Sequence, residues 1–197
     1  MEQLDKETGI HDKDGFSHYL LKEIYEQPKA IADTLIGRLD GLDLKLKFKK
    51  FEKIVIIGCG TAYNAGLVGK YAIEKWGQIP VDVELASEYR YREPSIDKQT
   101  LVIPISQSGE TMDTLMALRY AKSKGATIFS VCNTNGSTIG RESDAVLYTH
   151  AGPEIAVAST KAFATQLIAI YLIGLEIGRQ LGHLGKKSAS EIIEQLN

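Results

Sequence analysis

The sequence predicts an α/β fold: a three-layer sandwich built on a five-stranded parallel sheet with flavodoxin-like strand order. Three observations carry this expectation. From Lys53 onward, short apolar runs bounded by turns alternate with helical patterns, the signature of successive βαβ units. The run Thr100-Leu101-Val102-Ile103-Pro104-Ile105 is nearly continuous in apolar character, as a strand covered on both faces must be. Two turns rich in glycine and hydroxyls, Gly58-Cys59-Gly60-Thr61-Ala62 and Ser106-Gln107-Ser108-Gly109-Glu110-Thr111, leave the first and third strands. In a flavodoxin-like order those turns flank the switch point, where open α/β sheets bind ligands.

The elements follow in order. Residues 1–16 are charged and contain glycine, and they read as a flexible lead-in. Residues 17–52 read as N-terminal helices and a connector. Ser17 to Leu39 has helical periodicity broken at Pro28, so two short helices are expected, with Pro28 in the first turn of the second. Leu42 to Phe48 alternates apolar and charged residues; a strand, a loop or a short helix all fit. The main domain spans 53–185. Its strands are expected at Lys53–Gly58, Val81–Leu85, Thr100–Ile105, Ala126–Cys132 and Asp144–Thr149. Helices are expected at Thr61–Trp76, Glu110–Ser123 and Ser159–Leu181. Residues 186–197 form a tail with an amphipathic helical pattern over Ser188–Leu196.

Bulk properties narrow the function classes. The chain has 197 residues, 44% hydrophobic and 24% charged, ordinary values for one soluble domain with a substantial core. A formal net charge of −2 gives no electrostatic reason to expect nucleic acid or an anionic membrane as partner. No continuous apolar run approaches the roughly 20 residues that span a bilayer. Met1 to Gly15 has no signal-peptide core. Cys59 and Cys132 end apolar runs, and reduced, buried thiols in a cytoplasmic protein are the simplest account. His11, His18, His150 and His183 make no metal-ligand spacing with them. No metal or cofactor is expected.

The richest chemistry lies at Ser106–Thr111. A strand-to-helix turn presents free backbone N–H groups and a positive dipole end. Ser106, Ser108 and Thr111 add three hydroxyls, Gln107 an amide and Gly109 flexibility. That set seats a phosphate carried by a small molecule. Helix capping by Ser108 is the plain alternative, but capping needs one hydroxyl rather than three. Gly58-Cys59-Gly60 begins like a dinucleotide fingerprint, yet Tyr63 stands where the third glycine belongs. The glycines then let backbone N–H groups approach a ligand, or they serve a tight turn alone.

Glu154-Ile155-Ala156-Val157-Ala158-Ser159-Thr160-Lys161 opens the last long helix. Ser159 or Thr160 could cap that helix. Glu154 is a candidate general base for a sugar proton, and an ion pair with a nearby cation is at least as plausible. Lys161 sits in a first helical turn, where a cation is disfavoured; that hints at a partner, although a surface lysine is the commoner case. Tyr89-Arg90-Tyr91-Arg92 interleaves aromatic and basic residues and reads as a solvated or subunit-contact surface rather than a nucleic-acid site.

Taken together, several stretches stand in the order found in one family. They are His18-Tyr19, Lys22-Glu23-Ile24-Tyr25-Glu26-Gln27-Pro28, Gly58-Cys59-Gly60-Thr61, Glu84 to Arg92, Ser106 to Thr111 and Glu154 to Phe163. From about His18 to about Leu181 the chain resembles the first sugar-isomerase (SIS) half of glutamine:fructose-6-phosphate amidotransferases. The resemblance implies that Ser106, Gln107, Ser108 and Thr111 hold the phosphate of a hexose 6-phosphate. It also implies that Gly60, Thr61 and Ala62, with Val157 and its neighbours, lie against the phosphosugar. Ala62 departs from the family, which commonly has a serine there. The family's glutaminase domain and second SIS half, the source of its principal isomerase groups, have no counterpart in this sequence.

The expected function is hexose-6-phosphate binding within the isomerase module of such an enzyme. Its partners would be fructose 6-phosphate or glucosamine 6-phosphate, a second SIS half and a glutaminase domain. An excised or isolated SIS domain is expected to be inactive alone, with Glu154 and Lys161 its only local acid–base candidates. The apolar helix Ser159–Leu181, left without a neighbouring half, suggests a homodimer. The alternative is a stand-alone phosphosugar-sensing module without catalysis.

Overall fold

The computed structural model describes residues 12–38 and 46–196. Its centre is a sheet of β1 (Lys53–Gly58), β2 (Val81–Leu85), β3 (Thr100–Ser106), β4 (Thr127–Cys132) and β5 (Ala145–Tyr148). The order is β2-β1-β3-β4-β5, and every neighbouring pair is parallel. This is the flavodoxin-like arrangement the alternating pattern predicts. β3 is buried at all seven positions, which explains its uninterrupted apolar run. Pro104 has no N–H to give a ladder. The β3–β4 register accordingly runs through Leu101 and Val102 and resumes at Ile105 and Ser106.

Side-chain alternation along the strands splits the interior in two. Ile54 and Ile56 of β1 face one cluster, with α3 (Thr61–Gly77) and α7 (Lys161–Leu181). Leu35 of α2 (Gln27–Leu35) and Ile193 of α8 (Lys186–Leu196) join that cluster. Val55 and Ile57 face the other, covered by α4 (Ala86–Tyr89), α5 (Met112–Ser123) and α6 (Thr138–Glu142). The three-layer expectation therefore holds. A further helix, α1 (Tyr19–Tyr25), precedes α2, and Pro28 lies in the first turn of α2 as expected. Arg38 then donates to the carbonyls of Thr34 and Tyr148 at 2.6 and 2.7 Å, tying the end of α2 to the end of β5.

Several expectations need correction. Of the alternating Leu42–Phe48 segment, residues 42–45 lie outside the described residues, as do residues 1–11 of the lead-in. The part described ends in one 3-10 turn, Phe48–Lys50, because Phe48 and Phe51 both reach into the core. α5 and α7 begin two residues later than the pattern suggests, since Thr111 and Thr160 keep non-helical backbone angles. Tyr89 is not surface: α4 buries it completely, and burial pushes its hydroxyl pKa far up. α7 is a helix long and apolar enough to cross a membrane by length and composition, but most of it is buried inside the protein. Packing within its own domain, not an exposed face awaiting a second copy, accounts for its apolar character.

α3 and α7 pack against each other closely, and the contact depends on glycine. A Cβ on Gly69 would lie 2.2 Å from Ile170 Cγ2, and one on Gly178 would lie 2.6 Å from the Trp76 carbonyl oxygen. The second obstacle is backbone and cannot rotate away. Gly178→Ala should therefore destabilise the fold by about 1–3 kcal/mol through overpacking, against the roughly 1 kcal/mol that helix propensity alone would add in favour of alanine. Chemical denaturation measures the sign; a stabilised variant would contradict this packing.

Candidate functional site

α3 leaves β1 toward one face of the sheet, and α5 leaves β3 toward the other. Divergence of the two connections opens a crevice at the carboxyl ends of these strands. A cavity of about 220 Å³ lies there. Its first two walls are the predicted turns, with Thr61 and Ala62 on one side and Ser106, Gln107, Ser108 and Thr111 on the other. The third wall is the loop before α7, with Glu154, Ala156, Val157 and Ser159. Residues from three distant parts of the sequence thus meet at one point. Gly60 sits at the edge, as the N-cap of α3 with φ +57°. Lys161 does not reach the cavity.

The two turns are built differently. At β1 a Cβ on Gly58 would lie 2.9 Å from the Tyr63 nitrogen, so Gly58 lets the start of α3 sit against the strand end. Close packing of α3 on the strands falls instead to Gly66, where a Cβ would lie 2.9 Å from Ile56 Cγ2 and 3.0 Å from Val83 Cγ1. At β3 the hydroxyls organise their own loop. Ser106 Oγ accepts the Gly109 N–H at 3.0 Å and lies 3.0 Å from Thr111 Oγ1. Ser108 Oγ accepts the Glu110 N–H at 3.1 Å. Gly109 has φ +66°, a conformation that side chains resist. Glu110 reaches over to accept the Thr138 N–H at 2.7 Å, and that bond holds its carboxyl below the usual carboxylate range.

Neither α3 nor α5 has a side-chain cap. Their first N–H groups lack intrahelical partners, and both helices begin at the cavity. The positive ends of two helices therefore face one small space lined by hydroxyls. α7 differs. Glu154 Oε1 accepts the N–H groups of Thr160 at 2.9 Å and Ala162 at 3.1 Å. Glu154 is thus the cap of α7, in place of the expected Ser159 or Thr160 hydroxyls. Its carboxylate is engaged with backbone, and among the described residues it makes no ion pair. Lys161 is also corrected: it is 5% exposed and pairs with Glu26 at 2.6 Å. The partner its position hinted at is internal.

Sequence reasoning missed the cavity floor. Thr114 and Gln166 are 1% and 3% exposed, and both line the cavity. Thr114 Oγ1, Gln166 Oε1 and Ser159 Oγ are buried without hydrogen-bond partners. Buried polar atoms are normally satisfied; these three give the lining a polar character that the apolar neighbours of Gln166 conceal. The signal in the sequence was a glutamine inside the most apolar helix. Half-buried Cys59 also lines the cavity, whereas Cys132 is buried and its thiol is pushed up by that burial.

Fold and cavity together define a parallel α/β domain with a hydroxyl-lined crevice at its switch point. The SIS domain family matches residues 47–176, and the chain belongs to it. It is 54% identical over 203 residues to the isomerizing glutamine–fructose-6-phosphate aminotransferase of Streptomyces coelicolor, covering 98% of this chain and 33% of that protein. The corresponding protein of Clostridium tetani is 55% identical over 194 residues, with 94% and 32% covered. The chain thus spans about a third of the length of these curated relatives. Among solved structures, the C-terminal domain of glucosamine-fructose-6-phosphate aminotransferase from Francisella tularensis superposes with a TM-score of 0.89 at 44% identity, covering 94% of this chain and 54% of that one.

Glu154 offers a direct check of the site's construction. Loss of a helix-capping acceptor costs about 0.5–2 kcal/mol. Glu154→Ala should lose that much in urea denaturation, and Glu154→Gln, which keeps an acceptor oxygen, should lose much less. An alanine variant as stable as the parent would show that the cap carries no weight.

Proposed function

We propose that this chain is a hexose-6-phosphate-binding SIS unit of an isomerizing glutamine–fructose-6-phosphate aminotransferase. The observation that carries the proposal is the meeting of two uncapped helix ends with Thr61, Ser106, Ser108 and Thr111 around a single cavity. The phosphate sits among these hydroxyls and the first N–H groups of α5, with Gln107 beside it. The sugar extends toward Val157, Ser159 and the floor at Thr114 and Gln166. The names of the relatives and their similarity to this chain support the substrate class. In the complete protein, fructose 6-phosphate and glutamine would become glucosamine 6-phosphate and glutamate, with a second SIS half and a glutaminase domain as partners. Leu67, Val68 and Tyr71 form an exposed apolar patch on α3, which suits packing against such a half or a second copy.

The chain itself contributes binding rather than acid–base chemistry. Among the described residues, the ionisable groups lining the cavity are Cys59 and Glu154, and Glu154 is occupied in capping α7. Isomerisation requires a positioned base and an acid, which the second half would supply. The purified chain should therefore bind fructose 6-phosphate yet form no glucosamine 6-phosphate with either glutamine or ammonia, as followed by mass spectrometry. Turnover abolished by Glu154→Gln would restore that carboxylate as a base.

Binding has its own test. Charge-assisted hydrogen bonds contribute about 1.5–3 kcal/mol each, so Ser108→Ala should weaken fructose 6-phosphate binding roughly tenfold or more. Ala62→Ser, which adds a hydroxyl in the first turn of α3, should tighten it. An NMR titration reads both, and amides of 106–111 that do not respond to the ligand would refute the assignment.

A further inference from the structure

The loop before α7 forms the third cavity wall, and nothing regular holds its backbone. Residues 151–160 belong to no helix or strand, so their N–H groups need partners from elsewhere. Two of them find one in α1. Glu23 Oε1 accepts the N–H groups of Ile155 at 2.5 Å and Ala156 at 3.1 Å, and Oε2 lies 3.3 Å from the latter. These residues sit between Glu154 and Val157, both cavity-lining. Just beyond the end of α1, Glu26 pairs with Lys161 at the start of α7. The wall is thus tied down by Glu23 in its middle and by Glu154 and Glu26 at its ends.

The character of α1 makes this attachment unusual. Its large apolar side chains Leu20, Leu21, Ile24 and Tyr25 are exposed, and the residue it buries is the charged one, Glu23, at 2% exposure. Burying a carboxylate is unfavourable unless hydrogen bonds replace its water. A helix that needed only to cover the core would bury a leucine there. Glu23 faces two consecutive amides of the wall instead.

We propose that Glu23 is a positioning residue for the sugar end of the cavity. Its carboxylate holds the Ile155–Ala156 backbone, and through it Val157 and Ser159, at the spacing that receives the hexose. It is not among the residues lining the cavity, and its hydrogen bonds go to Ile155 and Ala156 rather than to the Ser106–Thr111 turn, so it governs recognition of the sugar and not of the phosphate. The inference rests on the phosphosugar reading of the cavity.

That separation makes the test selective. Wild-type chain, Glu23→Ala and Glu23→Gln are each titrated by NMR with fructose 6-phosphate and with inorganic phosphate. Amide hydrogen exchange at Ile155 and Ala156 is followed in parallel. Glu23→Ala is expected to weaken fructose 6-phosphate roughly tenfold, to leave inorganic phosphate unchanged, and to speed exchange at both amides. Glu23→Gln keeps an acceptor oxygen and should restore most of the affinity. Equal losses for both ligands, or unchanged fructose 6-phosphate binding, would overturn the proposal. If Glu23→Ala does not fold, Glu23→Asp, which withdraws the carboxylate by one methylene, should give the same selectivity to a smaller degree, and uniform losses there would be equally fatal. A wild-type chain that binds neither ligand would instead remove the phosphosugar reading. Unchanged exchange at Ile155 and Ala156 would then still show that Glu23 does not hold the wall.

Discussion

The close packing of α3 on α7 is the constraint on which the site depends. α3 starts at the turn after β1, and α7 starts at the end of the loop that forms the third wall. The gap between these two walls is therefore set by how nearly the helices approach. Gly69, Gly77, Gly174 and Gly178 remove the side chains that would hold them apart; a Cβ at each would fall within 3.1 Å of an atom on the opposite helix or its partner residues. Interiors pack at crystal-like density and transmit such displacements. Cavity dimensions are thus decided by glycines that line no part of it.

The strands were legible because burial on both faces leaves a local trace. β1 and β3 show it in nearly continuous apolar runs, whereas β2 at the sheet edge, Val81-Asp82-Val83-Glu84-Leu85, was legible by its alternation. The phosphate-like turn was legible for a related reason: hydroxyls and glycine between a strand and a helix are adjacent in sequence. What escaped was whatever depended on distant partners. Glu154 looked like a base, since nothing local shows that its carboxylate folds forward onto Thr160 and Ala162. Lys161 looked like a surface cation, since Glu26 lies 135 residues away. Gln166 was hidden among apolar neighbours, and α4 and α6 are too short to carry a helical period.

The three carboxylates near the third wall have a common logic. Glu154 and Glu23 accept backbone N–H groups that no secondary structure completes, and Glu26 pairs with the Lys161 ammonium at the start of α7. A loop with this many backbone donors would otherwise bind water and wander. Fixing it with carboxylates has an electrostatic consequence as well. The positive end of α7 is neutralised by Glu154, whereas those of α3 and α5 carry no side-chain cap. The fold thereby distinguishes two regions of one cavity: one that favours an anion and one that does not.

That distinction bears on orientation. A dianion entering the crevice gains from the α3 and α5 termini and from the hydroxyls of the β3 turn, but near Glu154 it meets a negative charge already in place. On the proposed reading, a ligand with a phosphate at one end and neutral hydroxyls at the other would therefore be held in one direction. Hydroxyls and amides suit this task better than a lysine would. A cation attracts an anion from any angle, whereas a hydroxyl–amide cradle rewards only the geometry that completes its hydrogen bonds. Orientation matters more than raw affinity if the reacting carbons must face groups brought by another domain, because a small misplacement at the reacting atoms is costly in rate. On the proposed reading, the hydroxyl–amide seat, the carboxylate-braced wall and the polar floor are parts of a device that would aim a phosphosugar as well as hold it.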